Sequence, residues 1–435
     1  MTGELQGWCF RHDDFWSAAL AERVLWEERR VSRHTYLGGV EQVDALSALA
    51  PSKTEVAVLR PVPIGPLLKW PGGKSAEFDL IKSHMPRMMR RYFEPFVGGA
   101  AVFLGVDDEI PAYLNDISEE LVDFYSEIAL GATQLCGILQ IFDDLWRSIE
   151  VLIDCRANSI ITSYSNFVAT AQPSFLHHTK EIFGPSKDKW QNLLALAADE
   201  DSDRLWPEII SSVSSKALRM RKLEAEKGSL SKADVVGNIE GAVKAAVYYQ
   251  VRWLYNQMSK KNFARPLRSA LFFFIREYTY AAMFRYNASG EFNVPYGGMN
   301  YNRKYMAKKL RQLKAPAITN KFAAAQIECS DFVDYLDRHR PEKNDFIFLD
   351  PPYDSDFSEY GKNTFDRRDQ QRLADFLLRT PAKWMLVIKS TDFILGLYEN
   401  KGLHIRATNK KYMWTIKERN VRDTVHLMVT NYQLD

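Results

Sequence analysis

The spacing of apolar positions changes several times along this chain, and each change marks an element. His12 to Arg33, rich in Trp, Leu, Ala, Glu and Arg, predicts a helix. A Gly38-Gly39 loop and a second helix, Val40 to Leu49, follow. Pro51, Pro61, Pro63 and Pro66 then punctuate a linker. Arg91 to Phe96 reads as a strand and turn. Gly98-Gly99 leads into an expected helix, Ala100 to Leu104. Ala112 to Asn115 is a second strand, ended by Asp116. Ser118 opens a helix with Glu119 and Glu120 in its first turn, where the helix dipole favours anions. Residues 129–247 carry mostly amphipathic helical spacing, with turns expected at 185–189 and 227–231. From residue 322 the pattern is α/β again. The apolar run before Asp350 predicts a buried parallel strand, Arg367 to Arg379 a helix, and Lys383 to Ile388 another strand. The tail alternates like antiparallel strands at His404–Ala407, Tyr412–Ile416 and Thr424–Thr430.

This pattern predicts an α/β sheet split by a long helical middle. Four parts follow: an N-terminal helical extension (1–60), a first α/β part (67–128), an inserted helical and basic region (129–321) and a second α/β part (322–435).

A chain of 435 residues, 46% of them hydrophobic, is long enough for two or three domains. The net charge of +2 says little about partners, but its distribution does. From Lys260 to Lys321 there are 13 Lys or Arg and two acids, Glu277 and Glu291, interleaved with aromatics. That mixture points towards nucleic acid, although a solvated face has the same look. The four cysteines form no Cys-x-x-Cys pair and adjoin no histidine cluster, so neither a metal site nor a disulfide framework is expected, and a reducing cytoplasm fits. The longest strongly apolar run, Leu271 to Ile275, is too short to span a membrane, and the first residues lack a signal-peptide pattern.

The most informative chemistry is Asp350-Pro351-Pro352-Tyr353 at the end of a predicted strand. It offers a carboxylate acceptor, a backbone barred from helix and an aromatic face, a set suited to gripping and stacking a flat base by its exocyclic amine. Pro-Pro also simply breaks a strand from a loop. A second constellation, Phe93-Glu94-Pro95-Phe96-Val97-Gly98-Gly99, ends one strand, and its glycines allow a ligand close to the backbone. Asp116, at the end of the next strand, is placed to accept both hydroxyls of a ribose.

Together these stretches resemble the α-group, Dam-like (D12 class) DNA adenine-N6 methyltransferases. Lys69-Trp70-Pro71-Gly72-Gly73-Lys74 is similar to that family's opening motif, the Phe93–Gly99 and Leu114–Ile117 stretches to its cofactor motifs, Phe284–Gly297 to its DNA-contacting hairpin and Asp350–Tyr353 to its catalytic loop. The resemblance implies a Rossmann-like methyltransferase sheet that uses S-adenosyl-L-methionine, with no metal. It implies Trp70 and Lys74 against the cofactor's methionine end, Phe96 and Gly98 lining it, Asp116 on the ribose and Asp331-Phe332 on the adenine ring. Asp350, helped by the Pro351 carbonyl, would take the target amine, with Pro352 shaping the loop and Tyr353 stacking on a flipped base. Arg285, Asn287, Asn293, Pro295, Lys308 and Lys309 are the expected contacts to double-stranded DNA.

The sequence departs from the GATC-specific members in two places. Ala281 stands where they carry Asn, and Met299 where they carry Tyr, while Arg285 and Pro295 are kept. A GATC target therefore stays open. So do methylation of RNA or of cytosine N4, a silent DNA-binding module, a protein partner for 1–60 or 129–247, and an associated restriction or defence system.

Overall fold

The structure, a computed structural model, describes residues 66–195, 203–353, 365–411 and 423–434. In chain order the regular elements begin with α1 (Phe78–His84), β1 (Tyr92–Glu94), β2 (Ala112–Asn115) and α2 (Glu119–Ala129). A helical stretch follows: α3 (Thr133–Ala169), α4 (Leu176–Phe183), α5 (Lys187–Ala195), α6 (Leu205–Lys227), α7 (Lys232–Gln257), α8 (Arg265–Tyr278), α9 (Ala307–Leu313) and α10 (Pro316–Ala324). The chain then returns to the sheet with β3 (Gln326–Glu328), α11 (Phe332–His339), β4 (Phe346–Leu349), α12 (Arg367–Arg379), β5 (Lys383–Lys389), α13 (Asp392–Tyr398), β6 (His404–Lys411) and β7 (Asp423–Thr430).

The seven strands form one sheet in the order β3-β2-β1-β4-β5-β7-β6. The first five run parallel, and β7 joins antiparallel between β5 and β6. Strand order reverses between β1 and β4, which pair through Tyr92↔Phe346 and Phe93↔Ile347. A reversal of this kind opens a crevice beyond the carboxyl ends of the two strands, the usual ligand position in such sheets. The unbroken apolar run of β4 is accounted for by burial of all four of its residues.

α8 explains the run Leu271–Ile275. Every residue from Ser269 to Tyr278 is buried, so this part of the helix is enclosed on all sides, with the apolar run Leu271–Ile275 followed by the buried polar pair Arg276 and Glu277. Phe124 of α2 stacks on Phe273 with ring centroids 5.6 Å apart, and Phe142 and Trp146 of α3 meet Phe274 at 5.3 and 5.9 Å. Among the described residues, no single helix is long and apolar enough to cross a membrane.

Several boundaries differ from the sequence expectations. Ala100 takes a left-handed conformation (φ 55°), so Ala100–Leu104 forms no α-helix, and only a short tight turn, Phe103–Gly105, follows. β3 was not expected, because Gln326-Ile327-Glu328 lacks an apolar run. It exists by pairing with β2 at the sheet edge. α11 and α13 were also not anticipated. Each is short and begins at a capping side chain, Asp331 and Thr391. Ser118 and Asp366 cap α2 and α12 in the same way. The helices expected within residues 1–60 and the strand Tyr412–Ile416 lie outside the described residues, and β6 and β7 pair directly with each other.

Candidate active site

A cavity of about 660 Å³ opens at the strand reversal. It gathers Trp70, Lys74, Phe96, Gly98, Asp116, Asp331, Phe332, Asp350, Pro351, Pro352 and Tyr353 from positions up to 283 residues apart. β1 delivers the Phe96–Gly99 turn and β4 delivers Asp350–Tyr353, so the two motifs meet because their strands are neighbours.

Gly98 sits at φ +46°, and a Cβ there would lie 3.0 Å from Trp70 Cδ1 and Nε1. Only glycine accommodates both the backbone and the indole. Its carbonyl accepts from Tyr125 Oη at 2.5 Å, and its N–H donates to Asp116 Oδ2 at 3.0 Å. The other Asp116 oxygen accepts from Ser118 N at 3.0 Å. Burial pushes Asp116 up to about 6 against these backbone hydrogen bonds. Backbone N–H groups of Gly98, Ser118 and Ile117 all engage this carboxylate, and of its roughly four acceptor sites room remains for a ligand hydroxyl.

Asn115 holds the two loops beside that carboxylate. Its side-chain amide donates to Pro95 O at 3.1 Å and Ser330 O at 3.0 Å, and its oxygen accepts from Ser330 N and Oγ at 3.0 Å. Next to them, Phe96, Phe332 and Phe365 form an aromatic slot with centroids 5.2 to 5.5 Å apart. Asp331 caps α11 through Val333 N at 2.9 Å and pairs with Arg372 at 2.7 Å. Burial opposes its ionisation, but Arg372 and the helix N–H groups outweigh burial and hold its pKa below the usual range.

On the acceptor side, Lys74 is only 3% exposed. Its Nζ lies 2.5 Å from Asp350 Oδ2 and donates to Tyr353 Oη at 3.2 Å and Gly72 O at 3.1 Å. Lys74, expected beside the cofactor, is thus also ion-paired with the Asp350 carboxylate. Gln370 of α12 donates to Pro352 O at 2.8 Å and pins the loop. Tyr353 meets the His426 ring edge-on at 5.3 Å.

Two further residues of the cavity were quoted in the motifs or lay between them without a role. Glu94 is buried, takes the Tyr92 hydroxyl at 2.7 Å and is pushed up to about 8, first by burial and further by Asp350 and Asp116. It is a neutral acid at pH 7. Arg276, near the end of α8, is fully buried and lines the same cavity. Glu94 and Asn115 stand within the quoted cofactor motifs but were given no role, whereas Phe365, Gln370 and Arg276 belong to no motif that marked them in the sequence.

The expected DNA contacts lie outside this cavity, although their neighbours Phe284 and Tyr286 line it. Asn287 N donates to Glu291 O at 2.8 Å and Asn293 N to Arg285 O at 3.2 Å, so residues 285–293 double back as a hairpin. Arg285 is exposed, and its Nε donates to Asn293 Oδ1 at 3.1 Å. Pro295 O accepts from Tyr280 N at 2.9 Å at the hairpin base. Lys308 is exposed, whereas Lys309 donates to the carbonyls of Pro66 and, at 3.0 Å, Leu67.

The sequence matches the family model described as D12 class N6 adenine-specific DNA methyltransferase over residues 70–152 and 231–413, more than half of the chain. Residues 153–230, from the latter part of α3 to just past the end of α6, fall outside that match. The chain is similar to the Type II methyltransferase M.CviBI of Paramecium bursaria Chlorella virus NC1A, at 26% identity over 84% of this chain and 99% of the viral protein. It is also similar to the Type II methyltransferase M.MjaIII of Methanocaldococcus jannaschii, at 24% identity over 85% and 99% of the two chains. The DNA adenine methylase of Vibrio cholerae is 23% identical over 83% of this chain and 95% of that one. With the family's motifs converging on one cavity, this chain belongs to the D12 class of N6 adenine-specific DNA methyltransferases and carries out site-specific methylation of adenine in DNA.

Proposed function

We propose that the cavity binds S-adenosyl-L-methionine in its β1–β2 half and receives the N6 amine of a flipped adenine from double-stranded DNA in its β4 half. The observation that carries this is the placement of Asp116 and Asp350 in one cavity beside an aromatic slot. The residues fit the cofactor. The slot of Phe96, Phe332 and Phe365 suits an adenine ring, Asp116 keeps acceptor capacity for the ribose, and the Gly98 turn with Trp70 shapes the passage towards Lys74. When bound, the cofactor supplies an electrophilic sulfonium methyl group.

An aromatic amine is a poor nucleophile because its lone pair is delocalised into the ring. Hydrogen bonds from its N–H groups to Asp350 and the Pro351 carbonyl favour a pyramidal nitrogen, and Tyr353 holds the base by stacking. Most of the rate gain then comes from positioning and electrostatics. Lys74 already engages both Asp350 and Tyr353, so it couples the two acceptor-side groups. Residues 285–293, with Asn287, Asn293 and Pro295, form the DNA-reading hairpin, in which Arg285 reads a guanine. Lys308 and Lys309 contact the phosphate backbone. On this reading 67–128 and 322–435 are the catalytic part, a Rossmann-like methyltransferase sheet, and 129–321 the target-recognition part.

The test is transfer of labelled methyl from S-adenosyl-L-methionine to duplex DNA, followed by identification of the modified nucleoside and its sequence context. N6-methyladenine at a fixed site is the expected product. Label in RNA or on cytosine N4 would overturn the assignment.

A further inference from the structure

Arg276 is a buried cation without a full set of acceptors. It is 0% exposed. Its Nε and Nη2 donate to the Lys69 carbonyl at 3.0 and 2.8 Å, and Nη2 reaches Ala282 O at 3.5 Å. Its guanidinium carbon lies 4.5 Å from the Phe284 ring centroid and 5.4 Å from that of Trp70. Nη1 has no hydrogen-bond partner, and among the described residues Arg276 makes no ion pair. The adjacent Glu277 is turned away to Lys304, at 2.5 Å, and to the Lys69 N–H, at 3.2 Å. Burial brings the guanidinium down only to about 10, so it is charged at neutral pH.

Bracing the Lys69 carbonyl accounts for Nε and Nη2. It does not account for Nη1, whose desolvation no hydrogen bond among the described residues repays. Stacking on two rings offsets part of the cost of the charge. The composition of the cavity wall sharpens the question. Its described lining contains seven carboxyl side chains and two cations, Lys74 and Arg276. Lys74 is already paired with Asp350. An anionic group entering this wall meets Arg276 as its one cation not paired with a carboxylate.

We propose, resting on the cofactor and DNA reading above, that Arg276 is an oxyanion clamp of the bound complex, its Nη1 donating to an anionic oxygen of a substrate. Two substrate groups have that chemistry: the carboxylate at the cofactor's amino-acid end, and a phosphate beside the target nucleotide. Arg276 lies between Trp70, which packs on the Gly98 turn, and Phe284, at the foot of the hairpin, and so faces both sources. Arg276 is thus a binding and positioning residue that couples hairpin engagement to a filled cofactor site.

Calorimetric binding to the whole protein tests this in two arms. The first compares S-adenosyl-L-homocysteine with its analogue lacking the carboxylate. The second compares an adenine-containing cognate duplex with one carrying a single uncharged methylphosphonate on either side of the target nucleotide. Removal of the clamped anion should weaken wild-type binding by about tenfold or more, as for loss of a hydrogen bond to a charged group. Arg276→Gln should bind both members of that pair alike, and Arg276→Lys should keep part of the preference. The arm that responds identifies the oxyanion. Wild-type protein that binds the neutral and anionic members of both pairs equally overturns the clamp, whether or not the variants fold. An equal penalty in wild type and a folded Arg276→Gln also overturns it. If wild type binds no S-adenosyl-L-homocysteine at all, the cofactor reading itself fails, an outcome distinct from either of these.

Discussion

The cavity at the strand reversal and the basic segment 260–321 distribute charge in opposite ways. The cavity draws seven acids and two cations from distant stretches into one wall, where Glu94 is held neutral and Asp350 and Asp331 are ion-paired. The basic segment holds 13 cations against two acids in sequence, yet its charges disperse on folding. Arg265 pairs with Glu127 at 2.7 Å, Arg268 with Glu119 at 3.2 Å and with Asp123, and Arg303 with Glu150 and Asp154 at 2.8 and 2.9 Å. Lys321 pairs with Asp108 at 2.5 Å and Lys304 with Glu277, while Arg276 is buried. A run of like charge in sequence is therefore a poor measure of the field that DNA would meet. On the proposed reading, exposed cations, Arg285 and Lys308 among them, carry most of the electrostatic contact with DNA.

Breaking the cavity should have the largest effect. Asp350→Ala is expected to lower methyl transfer by on the order of 10²–10³ or more, the scale for removing one preorganised polar group, with cofactor affinity nearly unchanged by calorimetry. A variant that retains a large share of wild-type turnover would remove Asp350 from the chemistry. Asp116→Ala should act on binding instead, weakening the cofactor by roughly 1.5–3 kcal/mol while leaving DNA affinity intact. The charged carboxylate is the better acceptor and its pKa is about 6, so wild-type cofactor affinity should fall as pH drops through 6. Asp116→Asn should flatten that profile.

Glu94 supplies a contrasting pH effect, on stability. Its folded pKa of about 8 lies above the ordinary 4.5, so the folded state holds a proton that the unfolded state releases. Its contribution is fully present below 4.5 and is lost as pH rises to 8. Thermal melts of wild type should show this decline and Glu94→Gln should not; parallel profiles would refute the neutral acid.

Two smaller effects sharpen the other side of the comparison. Arg285→Ala should cost about 1–3 kcal/mol at one base pair and relax the choice there. Lys308→Ala should instead lower the salt dependence of binding by about 0.9 in log–log slope, evenly across sequences. Arg303→Ala, its charge engaged by three acids, should hardly change that slope. Equal slope changes for Lys308→Ala and Arg303→Ala would mean that internal pairing does not shield these cations. The smallest effect belongs to the turn before the hairpin, where Ala281 and Ala282 both hold left-handed backbone, at φ 51° and 53°. Ala282→Gly should stabilise the fold by about 1 kcal/mol in chemical denaturation, since glycine adopts that conformation without steric cost.

The catalytic loop and the cofactor motifs were legible because each is contiguous and ends a strand whose own pattern is strong, as at Phe346–Leu349 before Asp350. Arg367–Arg379 was legible to the residue, since its acidic cap and helical spacing agree. β3 was not, because an edge strand of mixed polarity is specified by its partner and not by its own residues. The same holds for Phe365 and Gln370, which gain their roles by packing across the cavity from α12 and its preceding turn.

The sequence by itself determined much of the local grammar: the strongly patterned strands and helices, and the short motifs that carry acceptors, glycines and aromatic faces. Those properties depend on neighbours within a few residues, through backbone sterics and periodic burial. Only the tertiary structure decided which charges survive as charges. It paired Lys74 with Asp350, engaged Arg265, Arg268 and Arg303 with distant acids, kept Glu94 protonated, and buried Arg276 with one donor unmet. The reason is physical: ionisation depends on desolvation and on charges a few ångströms away in space, and strand order sets those distances.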